Sequence, residues 1–255
     1  MIILISPAKS LDLNKKDRIG DVKTPVFSEE YFELVRIMKT KNVEEIKRMM
    51  KLSDKLSELN FSRYQDFSNE FTEQNSKQAI YAFTGDVYKS FDSLSLSKED
   101  ILYADKHIRI LSGLYGVISP LDYIQPYRLE MGTALKNKKG RNLYDFWQDT
   151  LTAYINDIED DFIVNLASGE YVKAIRTKEL NKKFIDIDFK DNKNGEYKTI
   201  GINAKKARGK MARYLVTKRI DNIENIKDFS DDNYIYNPAL SSSESMSEKI
   251  VFTRG

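Results

Sequence analysis

A mixed α/β (α+β) fold follows from three features of the sequence, and it takes the form of one composite domain with a central mixed sheet, surrounding helices and a helical insert. Short apolar runs recur, each ending in a small residue and then polar side chains. Stretches with apolar residues at helical spacing lie between them, and one segment alternates apolar with polar residues around an Asn-Gly turn. The 255 residues are enough for one large domain or two small ones. No internal repeat or clean linker divides them, so residues 1–255 are expected to form one domain.

IILIS, apolar and β-branched and followed at once by SPAK, predicts a buried strand that delivers Lys9 into a loop. The helical insert, residues 28–75, comes next. FSEEYFELVRIMKT has helical spacing, and VEEIKRMMKLSDKLSELNFSRYQDF predicts two or three short helices with Ser53 or Asp54 as N-cap. AIYAF before TGDVYKSFD, IRIL before SGLYG and DFIVNLA before SGEYVKAI repeat the form of the first strand. Such strand ends gather functional groups beyond their carboxyl termini, the usual ligand crevice of an α/β sheet. LYDFWQDTLTAYINDI predicts an amphipathic helix, with Asp145 near its start and Leu143, Phe146, Trp147, Leu151 and Tyr154 inward. FIDIDFKDNKNGEYKTIGIN predicts a β-hairpin. In it Ile185, Ile187 and Phe189 face the core, so Asp186 and Asp188 belong to a half-solvated face rather than a metal pair. Residues 231–248 read as a polar connection before a final strand at KIVFT.

Composition narrows the chemistry. Hydrophobic residues at 41% and charged residues at 31% describe a globular chain with a densely charged surface. MIILIS is too short for a membrane span and lacks the basic flank of a secretory signal, so a cytoplasmic protein with no membrane partner is expected. With no cysteine there is no disulfide, thiolate metal site or thiol nucleophile. The one histidine, His107, lies at a helix-to-strand junction and reads as structural or helix-terminal. No cofactor and no metal site is therefore expected. Net charge is only +2, so a nucleic-acid role must come from charge placed on one face.

Three basic stretches could supply that face. AKKARGKMARYLVTKR holds seven basic residues and no acidic one. On a helix Lys206, Lys210 and Arg213 form one ridge, while Ala207, Met211, Tyr214 and Leu215 can pack inward; Lys205 and Arg208 are further candidates for phosphate contact. Gly209 in mid-helix points to close packing or to a ligand. KNKKGR places Lys136, Lys138 and Lys139 on a loop. MKLSDKLSEL has the outline of a helical hairpin, with Lys51, Ser53 and Lys55 near the second helix's start, where backbone N–H groups can face a phosphate. Either role, phosphate contact or plain solvated surface, suits each stretch.

RILSGLYGVISPLDYIQPYRLEMGT concentrates three of the chain's 11 glycines and two of its five prolines. Gly113 and Gly116 bracket a tight turn, and Pro120 and Pro126 stop regular structure, so an ordered irregular loop is expected. Arg128 and Glu130, two apart, point the same way if extended and could pair or bind a ligand. Together with Lys9, Asp86 and Glu170 at other strand ends they make a candidate acid-base pocket.

Taken in order, ISPAKSLD, the SDKL region, FTGDVY, this glycine- and proline-rich stretch, LYDFWQD, VNLASGEYVKAI and KKARGKMAR resemble the YaaA family, also called UPF0246, described as bacterial peroxide stress proteins. The resemblance covers nearly the whole chain. It implies a mixed α/β fold peculiar to the family, DNA binding, and a part in limiting peroxide damage by keeping intracellular iron low. It also implies that residues 43–66 form a helix-hairpin-helix-like DNA element, although the hairpin has no glycine. LSGLYG and the loop after it are loosely similar to a segment of uracil-glycosylase-like domains. With one histidine and no cysteine, a direct iron store or sensor is not expected.

Two functions follow. The first is a DNA-binding protective protein that contacts duplex or single-stranded phosphates without strong sequence specificity. The alternative is an enzyme acting on a nucleobase, nucleotide or DNA lesion in the charged pocket.

Overall fold

The computed structural model describes residues 1–14 and 19–255. β1 (Ile2–Ile5) is buried along its whole length because strands pair with it in parallel on both sides, which is why its sequence is an unbroken apolar run. The insert follows as α1 (Ser28–Lys39), α2 (Val43–Met50) and α3 (Asp54–Gln65). Acidic residues in the first turn of α1 and basic ones in its last suit the helix dipole, and Asn42 with Glu45 closes a capping box at the start of α2. Tyr31, Leu34, Met38 and Tyr64 of these helices join the same buried cluster as the sheet, and Tyr31 packs edge-on against Tyr115.

β2 (Lys77–Gln78) leads into a correction: AIYAF is not a strand but a single helical turn, α4 (Ala79–Ala82). Its Ala79 and Ile80 N–H groups donate to the carbonyls of Asp122 and Pro120, so the run is buried against a loop rather than laddered into the sheet. α5 (Asp86–Phe91) and α6 (Lys98–His107) follow. His107 closes α6 with its Nδ1 2.8 Å from the Met1 carbonyl and its ring against Tyr103, a structural placement.

β3 (Ile108–Ser112) and β4 (Gly116–Ile118) form a tight hairpin, and β5 (Tyr123–Ile124) pairs with β2. The loop expected as irregular thus carries two short strands. α7 (Leu143–Asp157) is capped by Asn142 and buries Leu143, Phe146, Trp147 and Leu151, with Tyr154 partly covered. β6 (Phe162–Asn165) and the short α8 (Gly169–Val172) precede the predicted hairpin of β7 (Lys183–Lys193) and β8 (Glu196–Lys198). Asn194 and Gly195, both at positive φ, make its turn.

α9 (Gly201–Thr217) starts three residues before the basic stretch and carries it as far as Thr217, leaving Lys218 and Arg219 beyond its end. Gly209 permits contact with α5, since a Cβ there would overlap the Val87 carbonyl oxygen. α10 (Ile223–Ile226), β9 (Ile235–Tyr236), β10 (Ser242–Ser243) and β11 (Ser247–Arg254) complete the chain. The polar connection expected at residues 231–248 therefore supplies edge strands, and the last strand starts at Ser247.

Among the described residues the main sheet runs β10-β11-β7-β6-β1-β3-β4, parallel from β11 to β3. The chain passes from β1 to β3 on one side, then returns to β6 on the other and continues outward. That reversal opens a crevice beyond the carboxyl ends of β1 and β6.

Candidate functional site

The crevice holds a cavity of about 260 Å³. After β1 come Ser6, Pro7, Ala8 and Lys9; after β6 come Leu166 and Ser168, then Glu170 and Tyr171 of α8. α5 adds Asp86, Val87 and Tyr88, and α9 adds Lys205 and Arg208. The two strand ends are tied together: the Ser168 N–H donates to Ser6 Oγ at 2.9 Å and the Leu166 N–H to the Leu4 carbonyl at 2.8 Å. Gly85 lets the α5 loop sit on Ala8, where an added Cβ would lie 2.8 Å from the Ala8 Cβ.

Lys9 is braced from behind. Its Nζ is 2.8 Å from Glu130 Oε2, while Arg128 donates through Nε and Nη2 to Glu130 Oε1 at 3.2 and 2.9 Å. Burial would raise the Glu130 carboxyl, but hydrogen bonds from Lys9 and Arg128 outweigh it and hold the group below its ordinary value. Glu170 Oε1 accepts the Gly132 N–H at 3.0 Å, fastening the same loop to α8. Arg128 and Glu130 thus support the cavity wall without lining it, whereas Lys9, Asp86 and Glu170 line it.

The RILSGLYG loop is a cage of buried hydrogen bonds. Ser112 and Tyr127 share one at 2.8 Å, the Gln125 N–H donates to Tyr115 Oη at 3.0 Å, Tyr64 Oη donates to the Arg128 carbonyl at 2.9 Å, and Trp147 Nε1 to that of Gly113 at 3.0 Å. A Cβ on Gly113 would overlap the Leu129 carbonyl oxygen, so β3 meets the Arg128 segment backbone to backbone.

Three charged groups of the cavity have no hydrogen bond or ion pair with another described residue: Asp86, Lys205 and Arg208. The Arg208 Nε is buried without an acceptor. Burial lowers the affinity of its guanidinium for a proton, and the Asp186 and Asp188 carboxylates oppose that. Both carboxylates are engaged elsewhere, Asp186 with Asn165 at 2.8 Å and Asp188 with Thr199 at 3.1 Å.

The remaining basic candidates divide in two. Lys206 on α9 is exposed without a partner among the described residues, as are Lys51, Lys55 and Lys136. Lys210 is held by Asp231 and Asp232 at 2.7 and 2.6 Å, and Arg213 donates to the carbonyls of Phe91 and Asp92, closing the end of α5. Lys138 pairs with Glu33, and Lys139 lies over the Phe146 ring while donating to the Phe146 carbonyl. The α2–α3 hairpin turns without glycine because Lys51 itself adopts the left-handed region at φ 52°, and Lys47 pairs with Asp54 across the turn. Ser53 is the N-cap of α3 but makes no side-chain capping bond.

A wider hollow of 560 Å³ lies beside α1, lined by Glu29, Glu33, Arg36 and Lys138. It sits away from the strand ends, and two of its charged residues, Lys138 and Glu33, pair with each other.

The family model described as peroxide stress protein YaaA matches residues 1–240. The chain belongs to the peroxide stress protein YaaA family. Full-length relatives agree with the YaaA family assignment. A UPF0246 protein of Marinomonas is 48% identical over 96% of this chain and 95% of its own. One from Francisella philomiragia is 47% identical with both chains wholly covered, and one from Alteromonas mediterranea is 43% identical over 100% of this chain and 98% of its own. Sequence reasoning missed Tyr88 and Tyr171, both buried, as cavity walls. A signal was present: TGDVY and SGEYV each place a glycine, an acid and a tyrosine at the start of a short helix.

Proposed function

We propose that this YaaA-family chain is a cytoplasmic DNA-binding protein of the peroxide stress response. It holds the phosphates of duplex or single-stranded DNA without strong sequence specificity and so limits iron-dependent damage to it. The observation that carries the reading is that Lys205 and Lys206, both exposed and without a partner among the described residues, stand on α9 beside the strand-end cavity that Lys9 and Arg208 also line. Lys51, Ser53 and Lys55 at the α2–α3 turn give a second contact, set roughly 15 Å along α3 from the Tyr64 bond to the Arg128 loop. Lys136 adds a third beside Lys41 and Arg48.

Fluorescence anisotropy with labelled duplex and single-stranded DNA across a salt series tests this. A Lys205→Glu/Lys206→Glu double variant is expected to bind about tenfold or more weakly, with a log-log salt slope shallower by about 2. Unchanged affinity in that variant removes the reading. Lys210 and Arg213 are poorer probes, since reversing either breaks contacts inside the protein.

An enzyme acting on a nucleobase, nucleotide or DNA lesion is the second reading. Asp86 favours it, a carboxylate that no described residue pairs with and that a phosphate clamp does not need. Mass spectrometry of oligonucleotides carrying defined lesions, incubated with wild type and Asp86→Asn, tests it; no Asp86-dependent product removes it.

A further inference from the structure

The strand-end cavity puts unpaired charges of both signs in one small space. Asp86 would repel a phosphate, and Arg208 with Lys205 would repel a metal ion or an amine. A ligand that offers hydrogen-bond donors on one edge and acceptors on the next satisfies both groups. Arg208 brings to this wall a guanidinium whose buried Nε has no acceptor among the described residues. Other parts of the wall are apolar, Val87, Leu166 and Ala8, or already committed, as is Tyr88, whose hydroxyl donates to the Ser6 carbonyl at 3.0 Å. At 260 Å³ the space is below the usual range of about 300–1,000 Å³ for larger ligands, so it suits one planar base.

We propose that this cavity takes a single unstacked guanine-type base, with Asp86 accepting from the ring N–H and exocyclic amine and Arg208 donating to the carbonyl oxygen and ring nitrogen. Arginine to that oxygen and nitrogen is the commonest specific guanine contact. The other bases fit the charges less well. Adenine and cytosine turn a ring-nitrogen lone pair toward the carboxylate, and thymine offers one N–H flanked by two oxygens. Lys205 at the rim then meets the flanking phosphate. The proposal rests on the nucleic-acid reading and names what part of the nucleic acid enters the fold; extrusion of a base is cheapest where it is unpaired or single-stranded.

Calorimetric titration of the full chain with deoxyguanosine, deoxyadenosine, deoxycytidine and thymidine, none of which carries a phosphate, is the test. Deoxyguanosine is expected to bind about tenfold or more tightly than the others, and Asp86→Asn and Arg208→Gln each to weaken it by about tenfold or more. Circular dichroism confirms that each variant is folded, and the ranking of the four nucleosides by the wild-type chain decides the matter even where a variant is not. Equal binding of all four, no binding of deoxyguanosine, or binding untouched by both substitutions overturns the proposal. The two readings fail separately. Duplex affinity lost in Lys205→Glu/Lys206→Glu with no nucleoside binding ends the base pocket alone, while selective nucleoside binding with duplex affinity indifferent to charge reversal ends the phosphate reading alone.

Discussion

Gly113 is where a single missing methyl group matters most. Because backbone atoms of Leu129 and Glu130 fill the place of its Cβ, Gly113→Ala must push two chain segments apart rather than turn a side chain. The expected loss is about 1–3 kcal/mol in urea unfolding, and a loss below about 0.5 kcal/mol would show that the contact yields freely. Asp122 makes a second prediction. It is 3% exposed, and burial pushes its carboxyl up to about 6 despite Lys23 at 3.3 Å and the Ser119 N–H at 2.7 Å. A raised carboxyl means that the folded state binds the proton more tightly than the unfolded one, so its ionisation costs stability above pH 6 and the cost disappears as pH falls toward the ordinary value of about 4. Two units correspond to an effect on the order of 3 kcal/mol. The melting temperature of the wild type minus that of Asp122→Asn should therefore be more positive at pH 5 than at pH 8; the opposite trend would mean that the Lys23 attraction dominates. Both residues lie in the stretch whose glycines and prolines marked it as an ordered loop. What composition could not supply was the backbone against which Gly113 packs, because that contact joins segments 16 residues apart through a fold.

At the scale of elements, helices were the more legible. Helical spacing and local capping groups such as Asn42 and Asn142 act within a few residues, so α1, α2, α3 and α7 stand where periodicity placed them. AIYAF failed for the complementary reason. A five-residue apolar run suits a buried strand or a buried helical turn equally, and the choice was made by the distant carbonyls of Pro120 and Asp122. The α2–α3 hairpin shows how an expected glycine can be replaced: Lys51 accepts the left-handed conformation and carries a charge to the same place. Lys51→Gly should leave thermal stability equal or higher, because glycine enters that region without steric cost, yet make the DNA salt slope shallower by about 1. A slope identical to that of the wild type would take Lys51 out of the phosphate contacts.

At the scale of the whole molecule, one buried cluster runs from the insert through the sheet to β11. Phe27, just before α1, packs on Trp147 of α7, with ring centroids 5.7 Å apart, and Trp147 is the chain's single tryptophan. Its fluorescence therefore reports the docking of the insert, while circular dichroism reports all the helices. Coincident urea transitions by the two probes are expected for one cooperative domain, and a separate early fluorescence change would mark the insert as an independent unit. Among the described residues no helix is long and apolar enough to cross a membrane, and no group of three or more acidic or histidine side chains gathers as for a metal ion.

The sequence by itself determined the α/β class, most of the helices, the β7–β8 hairpin, membership of the YaaA family and the residues worth watching, because periodicity, caps, turns and motif order are local properties of the chain. Only the tertiary structure decided which charges meet. Lys9 reaches Glu130 because β1 lies beside β3, whose end at Gly113 packs on the Leu129–Glu130 backbone, and Asp86 and Arg208 come to line one cavity because α9 packs on α5 through Gly209. It also decided which cations of one basic helix are spent: Lys210 and Arg213 on internal partners, Lys205 and Lys206 on none among the described residues. A run of positive charge looks uniform in sequence, but the folded neighbours of each residue settle whether its charge is available, since an ion already paired inside the protein has little left to offer a phosphate.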